Sequence, residues 1–200
     1  MSELNTIYEA LLNRNEKVCH KSEIEVVVKE YKRKFASTIN SANVIKYLSR
    51  HNLITRIFQG YYYVNSVDEH KRKYCRYEDK ELLFMVLRRL NLKWYVGLIS
   101  ADYINRKVWQ LPAVLHIINT VFSGKRVVLG MSVIFHKVKE RLIFAIHEKK
   151  TAQGVSFFYS DTIKTELDML YFRRLKTLHK TQQMESYLIH YPRWLGQKLT

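Results

Sequence analysis

The chain has 200 residues, 47% of them apolar and 13% aromatic, with a formal charge of +16 and a pI near 9.8. That composition excludes a disordered tail and supplies a proper core for one large domain or two small ones. The charge points to a polyanionic partner, nucleic acid or an anionic membrane surface, and residues 1–65 (net +4) and 101–200 (net +9) both contribute.

A first helix is expected from about Ser2 to Asn13, with Leu4, Ile7, Tyr8, Leu11 and Leu12 on one stripe. Ser22 and Glu25 have capping-box spacing, so a second helix is expected to begin there and run through Val26, Val27 and Tyr31. Three successive valines leave a strand open as the alternative. The basic run Lys32-Arg33-Lys34 then leads to Thr38, the expected N-cap of a third helix.

The stretch Ser37 to Asn65 is the one the rest is organised around. Ala42, Ile45 and Leu48 are expected on its buried side, and Asn40, Ser41, Asn43, Lys46, Tyr47 and Arg50 on the other, with no acid among them. Leu53–Phe58 and Tyr61–Asn65 read as two strands joined at Gln59-Gly60, with Tyr61, Tyr62 and Tyr63 split between core and surface by strand alternation. A polar-faced helix leading into a hairpin is the reading end of a winged helix-turn-helix. On that reading Thr38, Asn40, Ser41, Asn43, Lys46, Tyr47 and Arg50 contact DNA from the helix, and Arg56 and Gln59 reach phosphate or the minor groove from the wing.

Ser66 to Lys73 is polar and aperiodic, and is expected to be a linker between a domain of residues 1–65 and one of residues 74–200. Helices are expected over Glu81–Leu90, with Leu82, Leu83, Val86, Leu87 and Leu90 inward, and over Gly97–Asn105, preceded by Trp94-Tyr95-Val96 in helical or extended form. Strands are expected at Val114–Asn119, Arg126–Leu129, Ser132–Lys137, Leu142–His147 and Val155–Tyr159. A helix from Ser160 to about Leu178, with Ile163, Leu167, Leu170, Tyr171 and Leu175 inward, closes the sheet, and another spans Thr181–His190. The expected fold class is α+β: an N-terminal winged helix-turn-helix, then a mixed α/β domain with a mainly antiparallel sheet.

Two local patterns go further. Tyr95-Val96-Gly97-Leu98-Ile99-Ser100-Ala101 resembles a Y-V-G-x-x-S-A helix start. Lys164-Thr165 and Leu167-Asp168-Met169-Leu170 resemble a late helix of the same group. With the order of parts, they make the chain similar to the AbiEi family of antitoxins and transcriptional regulators. Asn105-Arg106 stands where that family commonly has His-Gly, Glu166 where an apolar residue is usual, and Ile163 where an acid is usual. The resemblance implies a regulator that represses its own promoter and counteracts a nucleotidyltransferase-like toxin; the DNA-binding reading adds double-stranded DNA at an inverted repeat, bound by a homodimer.

Other chemistries leave fewer marks. Cys19 and Cys75 are isolated, which speaks against a secreted disulfide scaffold. With neither a membrane-length apolar run nor a signal peptide in view, a cytoplasmic protein without membrane attachment is expected. The eight histidines have no zinc spacing, and no phosphate-binding or nucleophile-elbow motif occurs, so no metal, cofactor or enzymatic activity is expected. The alternatives are a Mg²⁺-dependent nuclease using Glu148 and Lys150 at a strand end, and an interaction module with no sequence-specific DNA role.

Overall fold

The computed structural model describes residues 3–35 and 38–199. The chain is α+β: N-terminal helices with a three-stranded antiparallel sheet, then a six-stranded mixed sheet with helices. It divides into two compact units, one ending at Val86 and one starting at Leu87.

The first unit runs α1 (Glu3–Leu12), β1 (Val18–His20), α2 (Lys21–Phe35), α3 (Ser41–Arg50), β2 (Ile54–Arg56) and β3 (Tyr61–Val64). Strand β3 lies between β1 and β2, antiparallel to both. Ile7, Leu11, Ile24, Val28, Val44, Ile45, Leu48, Ile54 and Val64 make one core, because each helix repeats its apolar residues every three or four positions. Val26 faces solvent, so the valine run is a helix turning one valine, Val28, fully inward. The cap of α2 lies two residues before the expected one: His20 N–H donates to Glu23 Oε2 at 2.6 Å, and Glu25 pairs with Lys21 instead. Burial pushes the Cys19 thiol up to about 12, with Glu23 adding to the rise.

Residues 66–73 are an ordered helix and its caps, not an aperiodic linker. Ser66 caps α4 (Val67–Arg72) with a full capping box, and the chain turns at Lys73 in the left-handed region. Buried Glu69 organises the turn, accepting from Tyr63 Oη at 2.8 Å, Ser66 N–H at 2.7 Å and Arg76 N–H at 2.8 Å. Tyr62 packs into the helical core and Tyr63 into this cover, so both are buried despite opposite strand faces. Helix α5 (Asp79–Arg89) follows, with Leu82, Leu83, Val86 and Leu87 buried as expected.

The second unit holds β4 (Trp94–Val96), α6 (Leu98–Ile104), β5 (Leu115–Asn119), β6 (Gly124–Val128), β7 (Met131–Lys137), β8 (Ile146–Lys150), β9 (Ser156–Ser160), α7 (Thr162–Tyr171) and α8 (Gln182–Leu188). The sheet order is β6-β7-β5-β4-β9-β8. Pairs β4–β5, β6–β7 and β8–β9 are antiparallel, while β4–β9 and β5–β7 are parallel.

Several boundaries differ from those expected. The strand expected at Leu142–His147 starts only at Ile146, because Glu140–Leu142 is a 3₁₀ turn and Ala145 takes φ +48°. Ser160 ends β9, and α7 is capped by Asp161, whose side chain accepts from Lys164 N–H. Helix α7 stops at Tyr171, short of Leu178: the Phe172 and Arg173 N–H groups close its last carbonyls, and Arg173 turns at φ +57°. Among the described residues no helix is long and apolar enough to cross a membrane.

Candidate nucleic-acid interface

Helix α3 buries Val44, Ile45 and Leu48 and leaves Ala42, Asn43, Lys46 and Arg50 exposed. At 100° per residue, Asn43, Lys46 and Arg50 fall within an arc of about 60°. Ala42, expected on the buried side, is exposed, and Val44 takes the inner place. Ser41 is half-buried.

Two expected readers hold other posts. Asn40, rather than Thr38, is the N-cap: its backbone is extended and its Oδ1 accepts Ala42 N–H at 2.8 Å. That carboxamide oxygen is committed to the helix end. Thr38 is exposed, two residues ahead of the cap. Tyr47 packs partly against the core and stacks on His51 at 3.9 Å, on the flank of the exposed face.

The β2–β3 hairpin is tight. Tyr61 N–H donates to Phe58 O at 2.9 Å, and the central residues Gln59 and Gly60 have φ of +50° and +79°, the mirror-image turn that suits strand twist. Gly60 is needed here twice, for its positive φ and because a Cβ would lie 3.1 Å from His20 Nε2. The tip is held down: Gly60 O accepts Lys21 N–H at 2.8 Å. Arg56 and Gln59 are both exposed, on a short hairpin attached to the start of α2.

The electrostatic frame extends beyond the helix. From Tyr31 to Val67 there is no Asp or Glu, against six cations: Lys32, Arg33, Lys34, Lys46, Arg50 and Arg56. The exposed basic end of α2, with Lys34 over the Phe35 ring at 5.5 Å, belongs to this region although the sequence reading gave it no contact role. The run of cations without acids was the signal for it.

The residues that carry the family resemblance lie in the second unit, and they meet. Tyr95 Oη donates to Asp168 Oδ2 at 2.8 Å, and Lys164 Nζ bonds Asp168 Oδ1 at 2.5 Å and both Tyr95 Oη and Tyr191 Oη at 2.9 Å. Lys164 and Asp168 are almost wholly buried, with the Phe144 ring 4.8 Å from the ammonium. Burial pushes Asp168 up and Lys164 down, and each partly offsets the other's shift. A Cβ on Gly97 would come within 2.5 Å of Ile118 Cδ1, so that glycine permits close packing of α6 on the sheet. Ser100 Oγ joins the backbone of Val114 and His116. These positions hold the unit together and present no reactive group to solvent.

The departures from the family pattern also have places. Asn105 Nδ2 donates to Ser160 O at 3.0 Å, Glu166 pairs with Lys107, and Ile163 packs on the core. Glu148 and Lys150 are exposed at the C-terminal end of the edge strand β8, of which Lys150 is the last residue. Among the described residues no three His, Cys, Asp or Glu side chains are grouped to hold a metal ion. His116 and His136 pair across β5 and β7 with ring nitrogens 3.0 Å apart.

In comparisons with known proteins, no family model and no curated protein matches the chain.

Proposed function

We propose that the first unit is a winged helix-turn-helix that binds double-stranded DNA, with α3 in the major groove and the β2–β3 hairpin as a short wing. The observation that carries this reading is the outward face of α3. Asn43, Lys46 and Arg50 stand together on it, the opposite face is sealed in the core, and no acid lies within the surrounding stretch from Tyr31 to Val67. The element order and the β1-β3-β2 sheet order support the winged-helix reading. Asn43 pairs with an adenine edge, Lys46 and Arg50 serve guanine or phosphate, and Arg56 and the basic end of α2 grip the backbone. On the two short patterns around Tyr95 and Lys164, the chain acts as an AbiEi-like regulator. It binds an inverted repeat in its own promoter as a homodimer and counteracts a nucleotidyltransferase-like toxin.

The test is fluorescence anisotropy of duplexes from the chain's own upstream region against random duplexes. With six or more phosphates neutralised, raising salt from about 50 to 200 mM is expected to weaken binding on the order of 10³-fold. A flat salt response, or equal affinity for both duplexes, removes the regulator reading. Incubation with Mg²⁺ and plasmid separates it from the nuclease alternative, which requires cleavage that disappears in Glu148→Gln.

A further inference from the structure

We infer that the second unit carries a binding site for a nucleoside phosphate, in the surface cleft where the end of β7 meets the end of α7. The cleft has a volume of about 490 Å³ and is lined by Thr120, Lys137, Val138, Lys139, Glu140 and Tyr171. That size suits a small ligand.

Its chemistry is that of an anion site with an aromatic wall. Lys137, the last residue of β7, and Lys139, two residues on with extended backbone, are both exposed and both line the cleft, while Val138 between them is buried. Among the described residues neither lysine is in an ion pair. The cleft's carboxylate, Glu140, is paired with Lys93, which offsets part of its repulsion toward an anion. The carbonyl end of α7 would also repel an anion. It is closed by the N–H groups of Phe172, Arg173 and Arg174, and two of those residues are cations.

Tyr171 supplies the wall. Its ring lies nearly parallel to that of Trp194, 16° apart in plane with centroids at 6.1 Å, and Trp194 is 40% exposed. Lysines beside stacked rings match a phosphate chain joined to a base: ammonium groups hold the phosphates as point charges, and the base extends the aromatic stack. A free nucleotide and the end of a single strand offer the same chemistry, so both are probed.

The experiment titrates the full chain with ATP, GTP, CTP and UTP in turn, with inorganic triphosphate, and with a short single-stranded oligothymidylate. Calorimetry and tryptophan fluorescence are the readouts. At least one nucleotide or the oligonucleotide is expected to bind saturably and to cause a quench that Trp194→Phe removes, and the tighter of the two identifies the source. The Lys137→Ala/Lys139→Ala double variant is expected to weaken that binding by about tenfold or more. The Lys137→Gln/Lys139→Gln variant, which keeps the side-chain length, is expected to lose the same binding with an unchanged circular dichroism spectrum. Absence of saturable binding, unaltered binding in both double variants, or triphosphate binding as tight as any nucleotide overturns the inference. The site rests on the second unit alone. A protein that binds duplex DNA but none of these probes refutes it and leaves the proposed function standing.

Discussion

The first unit holds Glu69, one of its two buried carboxylates among the described residues, with neutral donors: two backbone N–H groups and the hydroxyl of Tyr63. The second holds Asp168 with tyrosine hydroxyls too, but adds a buried cation, Lys164. Burial pushes both carboxyls up. At Glu69 the fixed N–H dipoles and side-chain hydroxyls outweigh burial and leave its pKa below the ordinary value; at Asp168, deeper in an apolar core, Lys164 and the two tyrosine hydroxyls do not. The units also place their cations differently. The first keeps them outside, on an acid-free helix and hairpin, where they are free to meet phosphate. The second commits one to its core, where no polyanion can reach it. Charge held inside specifies packing, and charge held outside specifies partners.

The largest expected effect comes from breaking the inner pair. Lys164→Met leaves Asp168 buried without its cation and is expected to cost the second unit about 3–5 kcal/mol in urea unfolding. The Lys164→Met/Asp168→Leu double variant is expected to recover much of that loss. If the double variant is no better than the single one, the pair is not what the core is built on.

Next comes the neutral-donor site. Glu69→Gln keeps the shape but weakens charge-assisted hydrogen bonds, and about 2 kcal/mol of the first unit's stability is expected to go. Loss of less than about 0.5 kcal/mol would make the Glu69 network ornamental, within the range of ordinary surface changes.

The outer cations and Asn43 divide by role. Asn43→Ala is expected to cost ~1–3 kcal/mol on the operator and little on random DNA, because only a base-edge contact carries sequence. Arg56→Ala is expected to weaken both duplexes alike, by less. Asn40→Ala is expected to act through stability, costing ~1 kcal/mol by uncapping α3, with little change in the ratio between duplexes. Anisotropy and thermal unfolding on the same three variants decide these assignments.

The smallest effects separate the units by pH. Burial depresses both His116 and His136, the latter to about 4, with Arg174 contributing at each and His116 adding at His136. A histidine whose folded pKa is depressed stabilises fully above its ordinary value near 6.5 and loses that contribution as pH falls toward the folded value. Glu69, also depressed, stabilises above the ordinary carboxylate value and loses that only as pH falls below about 4.5. Acidifying from pH 7 to 5 is therefore expected to lower the unfolding midpoint of the second unit through the histidine pair, partly offset by the raised Asp168 carboxyl, and to leave the Glu69 contribution to the first unchanged. His136→Phe is expected to flatten the response of the second unit.

How far the chain was legible follows from how local each cause is. The exposed face of α3 and the Gln59-Gly60 turn were readable because helical periodicity and positive φ act over a few residues. The sequence by itself therefore determined α1, α2 and α3 to within a few residues, the hairpin, most strands of the second unit and the cationic surface, but not α4. Strand β1 was not readable: its three residues find their partners only at Tyr61–Tyr63, far along the chain. The S-x-x-E pattern of Ser66 and Glu69 was visible, but the reason that turn is ordered lies in Tyr63 and Arg76. Asn40 has the composition of a base reader, and only the helix start, two residues later than a Thr38 cap would put it, turns its oxygen into a cap. Lys164 and Asp168, four apart on a helix, look in sequence like a solvent-facing ion pair. Tertiary structure decided otherwise by folding Tyr95 and Tyr191 over them, because a buried charge is stable only where donors from distant segments converge to replace water.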